Sequence, residues 1–376
     1  MRLQRILFMC ALVSVLTPAA AFAQATVTPD TETIELAQVT AISNQQTSVL
    51  PGTDTNTKTQ TLTAAVLQGP DQGHSISFEN DYTQLQVGDI FYLRHETNNL
   101  DGTNNYSVSD AYRLNTLFAL GALFIFLIII FGGVQGLRGF ASLTGSLVLI
   151  FFVLIPGILH GYSPVVVSIA VSSLIIVLGS YVTHGFNRTT NAAVIGMIVT
   201  VLFTGVAAYF FVHSAHLSGY SNEENVYLNF DTHGKIDMVG LLFGGIMIGL
   251  LGVLYDIAIG QAIAVEELFR AGSHLTRLEV YGRAIRIGRE HIGALVNTLA
   301  IAYVGVALPL LLLVQEGSSY GLLYSLNSEL FATEIVRILI GSIGLILSVP
   351  ITTLIASYML YGRLPQTASH GHAHHH

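Results

Sequence analysis

The feature that most constrains this chain is a series of seven apolar runs, each long enough to cross a bilayer. As a helix, about 20 apolar residues span the roughly 30 Å of hydrocarbon in a membrane. Charged residues make up only 10% of the 376 residues, whereas a soluble domain usually carries about 25%. The sequence therefore predicts a mainly α-helical bundle within a membrane. The predicted spans are 115–135, 141–159, 164–182, 191–212, 238–259, 291–314 and 335–360.

The N-terminus has the pattern of a secretory signal peptide. Arg2 and Arg5 precede an apolar run, and Ala21-Phe22-Ala23 has the small-x-small pattern of a cleavage site. We expect residues 1–23 to be removed, and an uncleaved anchor helix is the alternative. Cys10 is the chain's one cysteine. A mature chain without the leader therefore has no disulfide, thiol nucleophile or cysteine metal site.

Residues 24–113 are polar and alternate in the manner of short strands, with turn signals such as Gly69-Pro70 and Asp101-Gly102 between them. A Thr/Asn-rich stretch at 44–58 indicates a flexible loop. We expect a small extracytoplasmic β-barrel, which either binds a partner or is a passive folded cap. The candidate strands are 32–43, 59–67, 74–80 and 89–95.

The distribution of basic residues predicts the orientation. If residues 24–113 are exported, seven crossings put the acidic loop 213–237 outside and the basic stretch 260–290 inside, in a cytoplasmic membrane. Lys235 is the one basic residue on the outer links, and eight arginines fall on inner segments, as the positive-inside rule requires. These are Arg138, Arg188, Arg270, Arg277, Arg283, Arg286, Arg289 and Arg363.

The membrane domain is then 114–362, followed by a cytoplasmic His-rich tail at 363–376. This tail is either a chelating segment or a tag remnant. His213, His216 and His233 lie in or beside the acidic loop, where nitrogen and carboxylate groups can hold zinc or manganese. Their spacing matches no specific motif, so they are weak candidates for a metal site.

Ionisable groups inside a membrane span are costly and are functional candidates by default. In the fifth predicted span, small residues and one carboxylate fall on one helix face, within about 80° of each other. Glu267 continues this face about 16 Å along the axis, next to Glu266. The face either packs closely against another helix or forms a polar path for ions. Its members are Gly245, Gly249, Gly252, Asp256 and Gly260.

The last two predicted spans carry polar residues that we expect to lie beside this face. Glu290 and Asn297 share one face of the sixth span, and Glu334 and Arg337 are spaced for an ion pair at the start of the seventh. Because an unpaired carboxylate in hydrocarbon is unfavourable, we expect Asp256 to contact Asn297 or Arg337.

The sequence lacks the common enzyme and cofactor signatures. It has no H-E-x-x-H, G-x-S-x-G, Walker A or G-x-G-x-x-G pattern, so we expect neither an enzyme nor a bound cofactor. It also has no basic tract for nucleic acid. The expected partners are the lipid bilayer and a small solute or ion, with a second copy or another protein as candidates for the outer domain.

A set of short motifs carries a family resemblance. They are Gly252-Val253-Leu254-Tyr255-Asp256, Glu267-Leu268, Gly288-Arg289-Glu290-x-x-Gly293-x-x-x-Asn297-Thr298-Leu299, Ala302-Tyr303-x-Gly305-x-x-x-Pro309, and Asn327-x-Glu329 with Glu334-Ile335-x-Arg337. Together these residues resemble the YibE/F-like family, over about residues 60–362. The resemblance implies a multi-pass bacterial membrane protein and brings no reaction or substrate.

The sequence favours a transporter or exporter of a small solute or ion, coupled to an ion gradient, with Asp256 and Glu267 carrying protons or cations. The alternative is a non-transporting membrane scaffold or sensor whose outer β-domain binds a partner. The two differ in whether the carboxylates face a cavity or are paired within packed helices.

Overall fold

The computed structural model describes residues 30–49, 56–272, 274–317 and 321–362. The chain divides into two compact units between Phe124 and Ile125. The predicted leader at 1–23 and the His-rich tail at 363–376 lie outside the described residues, and so do Cys10 and its environment.

The first unit contains a five-stranded antiparallel sheet in the order β3-β2-β1-β4-β5. The long central strand β1 pairs with β2 along one edge and with β4 along the other. All four candidate strands are confirmed, and the fifth strand was not predicted. Closure of the sheet into a barrel is not confirmed. The strands are β1 (Thr31–Val49), β2 (Asn56–Gln68), β3 (Ser75–Asn80), β4 (Ile90–Thr97) and β5 (Asn104–Ala111).

Alternation of buried apolar side chains explains why these segments pair. Val39, Leu62, Phe91 and Leu93 lie in one core. A one-residue slip of any strand would turn its apolar side chains away from that core to the opposite face of the sheet. Just after the sheet, Arg113 donates a hydrogen bond to Asp110, and this bond holds the pKa of the Asp110 carboxyl below its ordinary value.

The predicted flexible loop at 44–58 is wrong for the part that the structure describes. β1 continues to Val49 and β2 begins at Asn56, and the two are paired from Asn44 with Thr61 to Val49 with Asn56. The polar stretch is rich in threonine, whose branched side chain suits a strand. Its polarity marks exposed strand faces rather than a loop.

The second unit is helical, and its first helix begins in the first unit. Two π-helical turns, Ile128–Gly132 and Ile150–Leu154, interrupt the opening run. The helices are α1 (Leu114–Leu127), α2 (Gly133–Leu149), α3 (Ile155–Leu159), α4 (Pro164–His184), α5 (Arg188–Ser214), α6 (Glu223–Asp231), α7 (Met238–Ala271), α8 (Arg277–Val306), α9 (Leu308–Gly317), α10 (Leu322–Asn327) and α11 (Glu329–Leu360).

Among the described residues, five helical runs are long and apolar enough to cross a membrane, and a bent pair makes up to six. Four predicted spans are single helices: α4, α5, α7 and α11. The sixth predicted span is the pair α8 and α9, bent by 67° where Pro309 removes a backbone donor. The first two predicted spans lie in one helical run, Leu114–Leu159. The predicted count of seven is therefore not confirmed.

The basic stretch 260–290, which links the fifth and sixth predicted spans, is largely helical. Helix α7 continues to Ala271, and α8 already begins at Arg277. The cause is a capping box: Thr276 accepts from the backbone of Glu279, whose side chain accepts from the backbone of Thr276. The Arg277 guanidinium lies over the ring of Tyr361, 4.5 Å from its centroid.

Helix α7 is the centre of the second unit and packs against α4, α5, α8 and α11. Helices α5 and α11 also approach each other closely. A Cβ on Gly196 would lie 2.9 Å from the Cα of Thr352, and one on Gly344 would lie 2.7 Å from Oγ1 of Thr204. Glycine at these two positions therefore permits close helix packing.

Candidate functional site along the glycine face of helix α7

The glycine face of α7 does not pack in the same way as Gly196 and Gly344. At Gly245, Gly252 and Gly260, no heavy atom lies within 4 Å of the position that a Cβ would occupy. The opposite side of the helix is buried in the apolar core. These three glycines therefore leave space along the helix, whereas Gly249, on the same face, packs closely against the Tyr303 hydroxyl.

The space along this face consists of three cavities that follow one another. One of about 890 Å³ is lined by Gly245 and Gly249, and one of about 760 Å³ is lined by Gly252 and Asp256. The third, of about 250 Å³, is lined by Asp256 and Gly260. The rise from Gly245 to Gly260 is about 22 Å, a large part of the roughly 30 Å thickness of a hydrocarbon layer.

Several polar side chains line the central cavity beside Asp256. The Tyr255 hydroxyl donates to the carbonyl of Gly179 over 3.3 Å and lies 3.1 Å from Nδ1 of His184. On the facing helix, Nε2 of Gln135 donates to the carbonyl of Thr183 over 3.3 Å. Hydroxyl, imidazole and amide groups therefore line the same cavity as Asp256.

Asp256 itself has no hydrogen bond or ion pair with the rest of the described chain. The predicted contact with Asn297 or Arg337 is therefore wrong. Asn297 is exposed and also makes no such bond among the described residues, whereas Arg337 is paired with Glu334. Asp256 lies where the central and third cavities meet.

Glu334 and Arg337 belong to the first cavity of the series. Their side chains form an ion pair at 3.0 Å, and each is about three-quarters buried, with exposed fractions of 22% and 25%. The Arg337 guanidinium lies 5.9 Å from the ring centroid of Tyr303, a residue of α8. The cavity thus has one fixed positive and one fixed negative group at its wall.

The remaining predicted carboxylates differ in their pairing. Glu266 accepts a hydrogen bond from Thr189 and forms a 2.6 Å ion pair with Arg270. Glu267 is exposed and makes no hydrogen bond or ion pair among the described residues. Glu290 is exposed and lines a shallow pocket with two arginines of α8. Of these three carboxylates, Glu266 is therefore the one that neighbouring side chains bind most strongly.

The three histidines proposed as weak metal ligands are not brought together. Nδ1 of His213 donates to the backbone carbonyl of Tyr209 over 2.8 Å, and Nδ1 of His233 donates to that of Asp231 over 3.1 Å. His216 is exposed, with a left-handed φ of 51°. Within the described part of the chain, none of them belongs to a group with ligand atoms close enough to share an ion.

Sequence reasoning missed three groups that shape this region. His184 lines the central cavity, although it is an isolated histidine in the sequence. Buried Gln261 accepts a 2.9 Å hydrogen bond from Thr353 and so joins α7 to α11. Glu329 accepts from the backbone of Ser218 and Gly219, over 2.8 and 2.9 Å. Only Glu329, which lies within one of the motifs, had a sequence signal.

Comparison with known proteins covers most of the chain. The family model described as YibE/F-like protein matches residues 120–362, and the model of the YibE/F family N-terminal domain matches residues 30–97. No curated protein and no solved structure matches the chain.

Proposed function

The chain belongs to the YibE/F-like family, and from that premise we propose that it is an ion-coupled transporter or exporter of a small solute or ion in the cytoplasmic membrane. The observation that carries this proposal is the series of cavities along α7. An unpaired carboxylate, Asp256, lies where two of these cavities meet.

The open glycines and the Asp256 carboxylate lie on the same face of α7. Glycine weakens a helix by about 1 kcal/mol relative to alanine, and Gly245, Gly252 and Gly260 gain no close packing in return. Their benefit is free volume beside the helix. A charged group in a membrane interior needs water, a counter-ion or a proton. Asp256 thus binds a proton or cation that enters along this face, while His184 and Tyr255 contribute polar groups to the same cavity.

The proposal includes seven crossings and the orientation that follows from them. The run Leu114–Leu159 has 46 residues, a length of about 69 Å as a helix, which exceeds two thicknesses of hydrocarbon. Two crossings with Arg138 between them keep the arginines of 270–289 on the cytoplasmic side. A single crossing would reverse every later segment and place those arginines outside, against the positive-inside rule. We also propose closure of the β-sheet into a small barrel, with residues 24–113 outside.

Accessibility to a charged thiol reagent tests whether the cavities contain water. In a Cys10→Ala background, Gly252→Cys and Gly260→Cys should react with an impermeant, positively charged methanethiosulfonate. Leu254→Cys is the buried control, and Phe203→Cys, 60% exposed on α5, is the lipid-facing control. Both controls should stay unmodified. Equal protection of the glycine positions and Phe203→Cys would mean that the face is a lipid groove, and the transport proposal would fail.

A flux measurement tests the role of the carboxylate. Proteoliposomes with an internal pH dye would be given potassium, sodium, magnesium or manganese gradients, with wild type, Asp256→Asn and the exposed control Asp231→Asn. Proton movement linked to one of these cations should be present in wild type and in the control, and lost in Asp256→Asn. An Asp256→Asn protein with wild-type coupled flux would end the assignment of this residue. A folded, water-accessible protein without flux for any cation would favour the scaffold alternative, in which the chain is neither enzyme nor transporter.

A further inference from the structure

The β-sheet unit contains a cluster of three side chains from different segments. Glu35 lies on β1, His95 on β4, and Asp71 in the turn between β2 and β3. One ligand atom from each lies within 4.8 Å of the others. Nδ1 of His95 is 3.0 Å from Oδ2 of Asp71 and 3.7 Å from Oε1 of Glu35. One imidazole nitrogen thus faces two carboxylates.

Glu35 is the unusual member of this cluster. Its side chain is 0% exposed, although an isolated buried carboxylate is strongly disfavoured. Oε2 accepts a 3.3 Å hydrogen bond from the backbone of Asp71. Oε1 is buried and has no hydrogen-bond partner among the described residues, and it points to His95. The fold therefore places a buried carboxylate oxygen at the cluster and leaves it unsatisfied.

The backbone makes room for this carboxylate. A Cβ on Gly69 would lie 2.6 Å from Cγ and 2.9 Å from Oε2 of Glu35. Gly69 also has a φ of +129°, which L side chains rarely adopt. The turn can therefore close over Glu35 and deliver Asp71 to the same point only with glycine at this position.

The contacts on the other side of His95 determine which ring nitrogen is free. Nε2 lies 3.1 Å from Oδ1 of Asn104, an amide carbonyl that only accepts. Nε2 therefore carries the hydrogen, and in the neutral ring Nδ1 has its lone pair directed at the carboxylates. Tyr106 stacks on the imidazole with centroids 4.5 Å apart, and its hydroxyl donates to Asp71 over 3.4 Å. The ring is held in place from its face and from its far edge.

We propose that Glu35, Asp71 and His95 form a site for a divalent transition-metal cation, with zinc as the reference ion and manganese as the competitor. Two ligands at about 2.1 Å from a tetrahedral ion are about 3.4 Å apart, and the observed separations of 3.0 and 3.7 Å lie on either side of that value. One nitrogen and two carboxylate oxygens suit both ions. Asn104 is the outer partner that orients the histidine.

The site is open on one side. Asp71 and His95 are 28% and 15% exposed, so an ion can enter from solvent and keep water in the positions that the protein does not fill. The alternative without a metal is a protonated His95 held between two carboxylates as a structural ion pair. The two cases differ in whether the intact protein binds zinc at these residues.

The test uses the full chain in detergent, with the five tail histidines His370, His372, His374, His375 and His376 replaced by alanine. Zinc chloride is titrated by calorimetry after dialysis against EDTA. The protein should bind one zinc per chain, and manganese should compete. Asp71→Asn should weaken zinc binding by more than about 100-fold, and Asn104→Ala by about 10–100-fold. Glu96→Gln, which removes an exposed carboxylate beside His95 on the other strand face, should leave the affinity unchanged.

Thermal unfolding in EDTA shows whether each variant is folded. Asn104→Ala lies outside the ligand set, so it tests the site even if Asp71→Asn does not fold. The site is refuted if the parent protein shows no saturable zinc binding, or if Asn104→Ala binds zinc as tightly as the parent does.

Discussion

The difference between open and close-packed glycines predicts opposite effects for the same substitution. Gly252→Ala places a methyl group where no heavy atom lies within 4 Å, whereas Gly196→Ala places one 2.5 Å from Oγ1 and 2.9 Å from Cα of Thr352. Both changes occur inside long apolar helices. Both therefore gain the same helix propensity, about 0.8–1.0 kcal/mol.

The difference between the free energies of unfolding of the two variants cancels this shared gain. It leaves the cost of the close contact at Gly196. Overpacking costs about 1–3 kcal/mol, and here the contact includes backbone that cannot rotate away. Gly252→Ala should be more stable than wild type by up to about 1 kcal/mol. Gly196→Ala should lie about 1–3 kcal/mol below Gly252→Ala, which corresponds to roughly 2–12 °C in melting temperature.

The assay is thermal unfolding of purified protein in detergent, followed by far-UV circular dichroism. Gly245→Ala and Gly344→Ala provide a second pair, because Gly245 is open and a Cβ at Gly344 meets Thr204 at 2.7 Å. The reasoning is refuted if Gly252→Ala and Gly245→Ala lose as much stability as the other two variants. That result would mean that another helix or a second copy packs on the glycine face.

Three further outcomes are expected. Single cysteines at Ser221 and Ser273 should label from opposite sides of intact cells with an impermeant maleimide, and labelling of both from outside would contradict the seven crossings. Thr353→Val should lower the free energy of unfolding by about 1–3 kcal/mol, since it leaves buried Gln261 without its 2.9 Å donor, and an unchanged chemical-denaturation midpoint would contradict this. Glu329→Gln should leave coupled flux intact but increase proteolysis of the loop at 213–222, because the amide cannot accept the bonds from Ser218 and Gly219 equally well; protease resistance equal to wild type would argue against that role.

The sequence predicted the elements that depend on local pattern. Four single-helix spans and four strands follow from apolar runs and alternation, and the turns at Gly69 and Gly102 follow from glycine's positive φ. The secondary-structure prediction failed where polar composition was interpreted as a loop or a link between spans. The described residues of the 44–58 stretch form a strand pair. The arginine-rich stretch before 290 is a helix, and the capping box at Thr276 was its overlooked signal.

The site could be predicted only as a face, since its surroundings depend on tertiary contacts. Glycines at Gly196 and Gly252 look alike in the sequence, and only the helix opposite each one decides whether the position is filled or open. Spacing did predict the ion pair of Arg337 with Glu334, but it could not decide whether Asp256 also contacts Arg337. His95, Asp71 and Glu35 are far apart in the chain, and no spacing motif joins them.

The pairing of the carboxylates separates structural from functional roles. Glu266, Glu329 and Glu334 each accept bonds from fixed neighbours, so their charge is compensated within the protein. Asp256 has no such neighbour among the described residues, and its side chain is exposed near the middle of the apolar helix α7. In the proposed transport function, water, a proton or a cation compensates the charge of Asp256. That proposal predicts that hydration of the adjoining cavities and occupancy of Asp256 change together, since the compensating species would enter and leave through these cavities.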